Sequence, residues 1–316
     1  MYGRDKLPGE TAVAGWPTPL AGVADPAPLR VQRGPAARFV APLISLAVLA
    51  IAVASLRDLN FVAVAALVPR NPGFWLLFAL SYLTAPVADW VIFRRLWGIP
   101  VSGLLPLVRK LIGNELLLGY VGELYFYAWA RRHVELVAAP FGAIKDVTVL
   151  SALAGNGVTL VMLVAGAPLY VSLGMATGSR LLLWSVAAVL ATSVAAFAFR
   201  RRLFSLPRRE LCFVTGIHLT RIAAITGLTA ALWHLVLPDV ALVWWLLLVT
   251  LRMLLSRLPF LPNKDIVFAG IAVLLIGHDL EIGALMAMMA SLILATHVLL
   301  GIGLMSIDLA RVEPPP

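Results

Sequence analysis

Residues 113–132 read GNELLLGYVGELYFYAWARR. The stretch is apolar enough to enter a bilayer, yet it carries two glutamates, Glu115 and Glu123, and ends on two arginines. A carboxylate at membrane depth costs on the order of 2.5 to 3.5 kcal/mol even on lenient insertion scales, so these acids must face protein, water or a charged ligand. Whether the chain crosses the membrane here or turns back decides the membrane orientation of all segments after residue 132.

The composition of the whole chain is typical of a polytopic membrane protein. Of its 316 residues, 61% are hydrophobic and 13% are charged, whereas roughly 25% are charged in an ordinary soluble domain. Mean hydropathy is +0.94. Apolar runs long enough to cross ~30 Å of hydrocarbon occupy most of the sequence. We therefore predict an all-α helix bundle with about eight spanning helices, over 39–56, 73–93, 147–166, 181–199, 211–236, 240–256, 266–278 and 281–306.

The ends of the chain differ from this apolar body. Residues 1–38 are rich in proline and glycine and cannot bury enough surface to fold alone, so we predict a disordered cytosolic tail. Residues 39–310 form the predicted transmembrane domain, and 311–316 form a short second tail. No short apolar region with a cleavage site opens the chain, so we expect the first span to remain as an anchor.

The arginines predict the orientation. The net charge is +9, but the basic residues collect at the ends of apolar runs, which indicates topology signals and headgroup contacts, not a nucleic-acid partner. Clusters at 94–95, 131–132 and 200–209 lie on one face only if residues 102–130 enter the membrane and return. We predict a re-entrant segment there and a multi-pass protein of the inner (plasma) membrane with both termini in the cytosol.

Polar residues within the apolar runs are the candidate site. Glu115 and Glu123 lie eight residues apart, and on a helix positions 115, 119, 122 and 123 share one side, so Gly122 would allow close approach of a helix or ligand beside the acid. The alternative is that nearby basic residues neutralise both acids, which would then be interface anchors. Lys145 and Asp146 lie at the start of the next span. Either at least one of them faces the protein interior as a site residue, or the pair compensates charges on a neighbouring helix.

A cationic group is predicted opposite these acids. His218 and Arg221 are three residues apart on one helix face, and Arg252 lies inside the following apolar run. Asp89 could pair with this group. The sequence contains no Asp-rich diphosphate motif, no HExxH, no GxSxG, no Walker loop and no Cys/His metal spacing. We therefore predict no catalytic residue, no metal site and no cofactor.

The order of these features resembles the transmembrane, flippase-like domain of lysylphosphatidylglycerol synthase. In that family an N-L-L-L-P-x-R-x-G-E segment precedes a helix that opens on an E-R pair, and a P-x-G-G-x-G-x-x-E element follows later. Asn114, Leu116, Leu117, Gly122 and Glu123 match the first segment, and LPFLPNKDIVFAG at 258–270 takes the place of the last.

This chain departs from the family pattern at several positions. The family proline and arginine correspond to Leu118 and Tyr120, and the later acid falls near Ala269. The E-R pair becomes Lys145 and Asp146, with the signs reversed, and Asn263 and Lys264 replace the paired glycines. The reversed charges argue against the same aminoacylated lipid as a ligand, and we expect this chain to lack the family's soluble synthase domain.

The resemblance implies a bacterial membrane protein that binds or translocates a lipid or lipid-linked molecule. The polar cavity would lie between residues 102–130, the helix opening at 145 and the turn at 259–265. Asn114, Glu115 and Glu123 would meet the headgroup, and Arg221, Arg252 and Lys264 would hold its phosphate. The alternative is a membrane scaffold or accessory subunit for a separate glycosyltransferase or other envelope enzyme. An intramembrane transferase is a third hypothesis.

Overall fold

The computed structural model describes residues 68–116, 121–133, 140–172, 204–256 and 280–310, with single residues at 187, 191 and 268. These segments are helical and contain no strand. The helices are α1 (Pro72–Trp97), α2 (Leu104–Leu116), α3 (Val121–His133), α4 (Pro140–Ser172), α5 (Arg208–Val236), α6 (Leu242–Ser256) and α7 (Leu280–Ala310), and a 3-10 turn, Val101–Gly103, precedes α2.

Four of the described helices are long and apolar enough to cross a membrane. They span Pro72–Trp97, Phe141–Pro168, Arg208–Val236 and Glu281–Leu304, while α6 is a shorter apolar helix. The exposed face of α1 is itself apolar, with Leu76, Leu80, Leu83 and Val87 between 42% and 62% exposed. A soluble helix would turn such a stripe inwards. The prediction of an all-helical membrane protein is therefore confirmed for the residues that the structure describes.

The first helix has well-defined ends. Pro72 occupies the first turn, where its missing N–H is no loss, and the side chain of Asn71 accepts a 2.8 Å hydrogen bond from Gly73 N. Gly98 ends the helix with φ 65°, and its N–H donates to the Arg94 carbonyl at 2.8 Å. This left-handed conformation favours glycine, so the chain turns sharply after Arg94 and Arg95.

Helices α1 and α5 pack against each other more extensively than any other described pair of helices, and they run antiparallel. Arg95 near the end of α1 binds Glu210 near the start of α5, at 2.7 Å, and Asp89 lies 3.3 Å from Arg221 further along both helices. Helix α4 packs against α5, and α6 contacts both. One apolar core surrounds Trp233 and Trp245, and a second surrounds Phe93 at the other end of α1.

Helices α2 and α3 form an antiparallel hairpin. Gly113 faces Gly122 near the connection, while Gly103 lies beside Trp129 at the open end. The open end packs on the last turns of α1, where the Phe126 ring lies 4.7 Å from Phe93. Each helix has 13 residues, which is about 20 Å at 1.5 Å per residue and shorter than a ~30 Å hydrocarbon core.

Five of the eight predicted spans coincide with described helices. Helices α1, α4, α5, α6 and α7 cover the runs predicted from 73, 147, 211, 240 and 281. The predicted spans at 39–56, 181–199 and 266–278 lie outside the described residues, apart from the three single positions, as do the predicted tails. The total of eight and the membrane placement of residues 102–130 therefore stay predictions.

Candidate functional site

A group of buried charges lies where the hairpin meets α1 and α5. Lys110 Nζ is 2.7 Å from Asp89 Oδ2, and Arg221 Nη1 is 3.3 Å from Asp89 Oδ1. Asp89 and Lys110 are only 7% and 8% exposed. Arg221 also donates a 2.7 Å hydrogen bond to Ser151 Oγ on α4. Asp89 thus joins α1 to both α2 and α5, and Arg221 extends the contact to α4.

Glu123 adds a second carboxylate to this group. Its Oε1 atom accepts a 3.1 Å hydrogen bond from Asn114 Nδ2 and lies 3.6 Å from Lys110 Nζ. The Asn114 oxygen in turn accepts from Gly122 N at 2.8 Å. Asn114 therefore fixes both Glu123 and the first turn of α3. The structure thus brings together Asn114, Gly122 and Glu123, three of the residues predicted for the site.

We call Asp89, Lys110, Glu123 and Arg221 the charge cluster. Its two acids and two bases balance, which lowers the cost of burying any one of them. The cluster is nevertheless incomplete, because Glu123 Oε2 is buried and has no hydrogen-bond donor among the described residues. An unsatisfied buried acceptor costs roughly 1–3 kcal/mol, and more when it is charged. A ligand or a water molecule that donates a hydrogen bond to Glu123 Oε2 would satisfy this oxygen.

Gly122 is buried in the contact between the two hairpin helices. A Cβ atom at this position would meet the carbonyl oxygen of Lys110, and would lie 2.7 Å from Asn114 Oδ1. The space beside Gly122 is therefore filled by the backbone of α2. The sequence predicted that either a helix or a ligand approaches closely at Gly122. In the structure it is helix α2 that does so.

Asp146 and Lys145 lie at the start of α4, where Asp146 binds the segment preceding α5. Asp146 Oδ2 accepts hydrogen bonds from Ser205 N at 2.6 Å, Ser205 Oγ at 3.0 Å and Leu206 N at 2.7 Å. Lys145 Nζ is 3.4 Å from Asp146 Oδ1. One residue later, the Val147 carbonyl lies 3.1 Å from His218 Nε2. This geometry gives Asp146 a structural task, whereas a substrate role for the pair stays a prediction.

Arg252 belongs to a different part of the molecule from Arg221. It lines a cavity between α1, α5, α6 and α7, together with Tyr82, Thr229 and Trp233. The Tyr82 hydroxyl and Trp233 Nε1 are buried and have no hydrogen-bond partner among the described residues. The structure therefore does not bring Arg221 and Arg252 to one cavity, and Arg221 already contacts Asp89 and Ser151.

The remaining predicted residues fall into two groups. Glu115, near the end of α2, is partly buried, and Lys264 lies outside the described residues. Their substrate contacts stay predictions. The sequence does not predict Ser151, Tyr82 and Trp233 as site residues, because a serine, a tyrosine and a tryptophan in apolar helices are ordinary packing residues. Lys110, one of the basic residues near Glu115, contacts both Asp89 and Glu123 and is the centre of the charge cluster.

In comparisons with known proteins, no family model, no curated protein and no solved structure matches this chain.

Proposed function

We propose that this membrane protein binds a lipid or lipid-linked molecule and moves its headgroup past the charge cluster. The single observation that supports this most strongly is Glu123, whose Oε2 atom is buried without a donor among the described residues. A protein that needed charges only for helix packing gains nothing from leaving a carboxylate oxygen unsatisfied. Charged groups at membrane depth are costly, and function is the usual reason for their presence.

Polar contacts follow the α1–α5 pair along its length, which supports passage of a headgroup. Arg95 and Glu210 are joined near one end, Asp89 and Arg221 further in, and Tyr82 and Trp233 line the cavity beyond them. From residue 95 to residue 82, α1 rises about 20 Å. This is two-thirds of a ~30 Å hydrocarbon core. A headgroup moving along this pair would meet polar partners at successive depths.

The hairpin is, in this proposal, a re-entrant element that brings Glu123 into the membrane. Its open end packs beside Phe93 and Trp97, close to the arginines at 94–95. Its closed end brings Asn114 and Glu123 inward to the charge cluster. Arginine-rich ends face the cytosol in most membrane proteins. The inner membrane and cytosolic termini are part of the same proposal.

The chemistry of the site is binding and release, not bond making. Glu123 Oε2 would accept a hydrogen bond from an ammonium or hydroxyl group of the headgroup, a charge-assisted contact that is stronger than a neutral one. Lys110 and Arg221 are held by Asp89, at 2.7 Å and 3.3 Å. They would keep the cluster neutral while the ligand passes.

A lipid-scrambling assay in proteoliposomes tests the proposal. Purified protein is reconstituted with lipids carrying a fluorescent headgroup, one phosphatidylethanolamine and one phosphatidylglycerol, and an impermeant reductant quenches the outer leaflet. We expect quenching beyond the outer half with wild-type protein and its loss with Glu123→Gln at equal protein abundance. Glutamine keeps the Oε1 contact to Asn114 while replacing the carboxylate oxygen by a donor.

Glu115→Gln is the matched control, since it makes the same chemical change on the same hairpin. We expect a milder effect, because Glu115 lies outside the charge cluster. No headgroup movement by wild-type protein with either lipid would count against transport. Normal headgroup movement by the Glu123→Gln variant would show that Glu123 is not part of the transport path.

A scaffold for a separate envelope enzyme, such as a glycosyltransferase, is the second candidate. It is favoured by the balanced charges of the cluster, which tie α1, α2, α4 and α5 together as a structural joint would. In this case the protein would co-purify with its partner enzyme, and Glu123→Gln would keep both the complex and the cellular phenotype. If Glu123→Gln abolishes lipid scrambling while any complex with a partner enzyme is kept, transport is favoured instead.

A further inference from the structure

The charge cluster is electrically balanced, and this balance restricts what Glu123 can bind. Lys110 Nζ lies 2.7 Å from Asp89 Oδ2 and 3.6 Å from Glu123 Oε1. Arg221 Nη1 lies 3.3 Å from Asp89 Oδ1. Each of the two negative and two positive charges therefore has an opposite charge within 3.6 Å, and the cluster has no net charge.

His218 is the fifth titratable side chain at this place, and it adds no charge to the balance. It lies one helical turn before Arg221 on α5 and is fully buried. His218 Nε2 is 3.1 Å from the Val147 carbonyl oxygen, which can only accept, so Nε2 carries a proton. Nδ1 is buried and has no hydrogen-bond partner among the described residues. A second proton on Nδ1 would be a buried donor without an acceptor, so the ring is neutral.

The two carboxylate oxygens of Glu123 differ in what they can still accept. Oε1 accepts a hydrogen bond from Asn114 Nδ2 at 3.1 Å and faces Lys110. Oε2 is buried and has no donor within the described part of the chain. The negative charge of Glu123 is thus compensated, whereas the hydrogen-bonding capacity of Oε2 is unused. The group that completes this site must donate a hydrogen bond without bringing a charge.

We propose that Glu123 binds a neutral hydroxyl group of a lipid headgroup, as in a glycerol or a sugar, and discriminates against an ammonium group. The inference rests on the proposed function and deepens it, because that function allows either donor. An O–H group donates one charge-assisted hydrogen bond to Oε2 and leaves the cluster neutral. Hydrogen bonding and charge are then satisfied together.

An ammonium group would meet an unfavourable environment at the same atom. It would add a third positive charge to a buried group of two acids and two bases, and an uncompensated buried charge is strongly destabilising. Lys110 lies 3.6 Å from the other oxygen of the same carboxylate, so the two ammonium groups would repel each other across Glu123. An ammonium also has three N–H donors, and burying those without an acceptor adds a further cost.

Lipid binding to the purified protein tests the inference and needs no transport. Dissociation constants are measured by native mass spectrometry in lauryldimethylamine oxide, a detergent whose headgroup has no O–H or N–H group to compete. Phosphatidylglycerol, phosphatidylethanol and phosphatidylethanolamine with identical acyl chains share the phosphate diester and differ only in the terminal group. We expect phosphatidylglycerol to bind about tenfold more tightly than either of the others, as one hydrogen bond to a charged group accounts for.

A glycolipid separates the two sources of a hydroxyl group. Monoglucosyldiacylglycerol carries sugar hydroxyls and no phosphate. Tighter binding of this lipid than of phosphatidylglycerol would assign the site to sugars, and the reverse order would assign it to glycerol. The proposal is overturned if neither hydroxylated lipid binds more tightly than phosphatidylethanol, or if phosphatidylethanolamine binds most tightly of the four.

Lys110→Met tests whether the charge balance sets this selectivity. The variant leaves the cluster with one net negative charge, which an ammonium group would neutralise. We therefore expect the order to reverse, with phosphatidylethanolamine bound more tightly than phosphatidylglycerol. Arg221→Met removes the other positive charge and should give the same reversal, which keeps the test available if one variant does not fold.

Arg70→Met is the matched control, because Arg70 is exposed before α1 and its loss removes one positive charge outside the cluster. We expect it to keep the wild-type order of lipids. The wild-type order in a folded Lys110→Met or Arg221→Met variant would contradict selection by charge.

Binding and transport can fail separately. Hydroxyl-selective binding by a protein that scrambles no lipid would remove the proposed transport and keep this inference. Scrambling by a protein that binds all four lipids equally would remove this inference and keep the proposed transport.

Discussion

Gly122 is the residue at which the hairpin is most sensitive to an added atom. We expect Gly122→Ala to lower the melting temperature of the detergent-solubilised protein, since its Cβ would meet the Lys110 carbonyl. Overpacking of this kind costs about 1–3 kcal/mol, which outweighs the ~1 kcal/mol that alanine gains over glycine in a helix. Leucine at this position should therefore reduce the amount of folded protein.

Gly227→Ala is the control for that substitution. Gly227 lies inside α5 with no atom within 4 Å of an added Cβ, so the same change should leave the melting temperature unchanged or raise it. Equal effects at the two glycines would mean that α2 and α3 do not approach closely at Gly122.

Lys110 is the residue on which the charge cluster depends. Lys110→Met would leave Asp89 and Glu123 with fewer partners, and removing one member of a buried ion pair typically costs about 3–5 kcal/mol. Adding Asp89→Asn should recover part of this loss, because the uncompensated charge is then gone. Thermal unfolding of the two single variants and the double variant measures the coupling. Strictly additive losses would contradict a direct interaction.

The sequence predicted some of these residues and could not predict others. The sequence predicts that Glu123 faces protein, water or a charged ligand, because an unpaired carboxylate is costly at membrane depth. That Lys110 would contact Asp89 as well as Glu123 depends on how the hairpin lies against α1, which spacing along one helix cannot reveal. The donors at Tyr82 and Trp233 meet only through the packing of α1 on α5.

Helix α4 and the segment before α5 are held together by one carboxylate. We expect Asp146→Ala to release residues 204–207 from α4 and to speed tryptic cleavage at Arg208 and Arg209, which are exposed. Asp146 Oδ2 accepts from two backbone N–H groups and from Ser205 Oγ, and alanine leaves all three donors without this partner. Limited proteolysis followed by mass spectrometry gives the cleavage rate.

Ser205→Ala is the milder comparison for this element. It removes only the hydroxyl contact and leaves the two backbone donors bound to Asp146. An equal cleavage rate in wild type and Asp146→Ala would show that other contacts hold the segment.

At the level of elements, hydropathy located the spans well and the hairpin only in part. Long apolar runs identify α1, α4, α5 and α7 because each covers a full membrane thickness by itself. Residues 102–130 were predicted to turn back only from the charges on either side. The break between α2 and α3, and the contact of Gly113 with Gly122, depend on tertiary packing that hydropathy does not record.

For the whole molecule, we propose that the hairpin enters and leaves the membrane from one face. Cysteine labelling tests it directly, because Cys212 is the single cysteine of the chain and can be replaced by serine. One new cysteine is then placed at a time, at Val101, Arg131 or Arg70, all exposed positions. Position 70 precedes α1 and serves as the opposite-face control.

The measurement is labelling by a membrane-impermeant maleimide in inside-out and right-side-out vesicles. We predict that Val101→Cys and Arg131→Cys both react in inside-out vesicles, and that Arg70→Cys reacts in right-side-out vesicles. Reaction of positions 101 and 131 from opposite faces would contradict the account, because residues 102–130 would then cross the membrane.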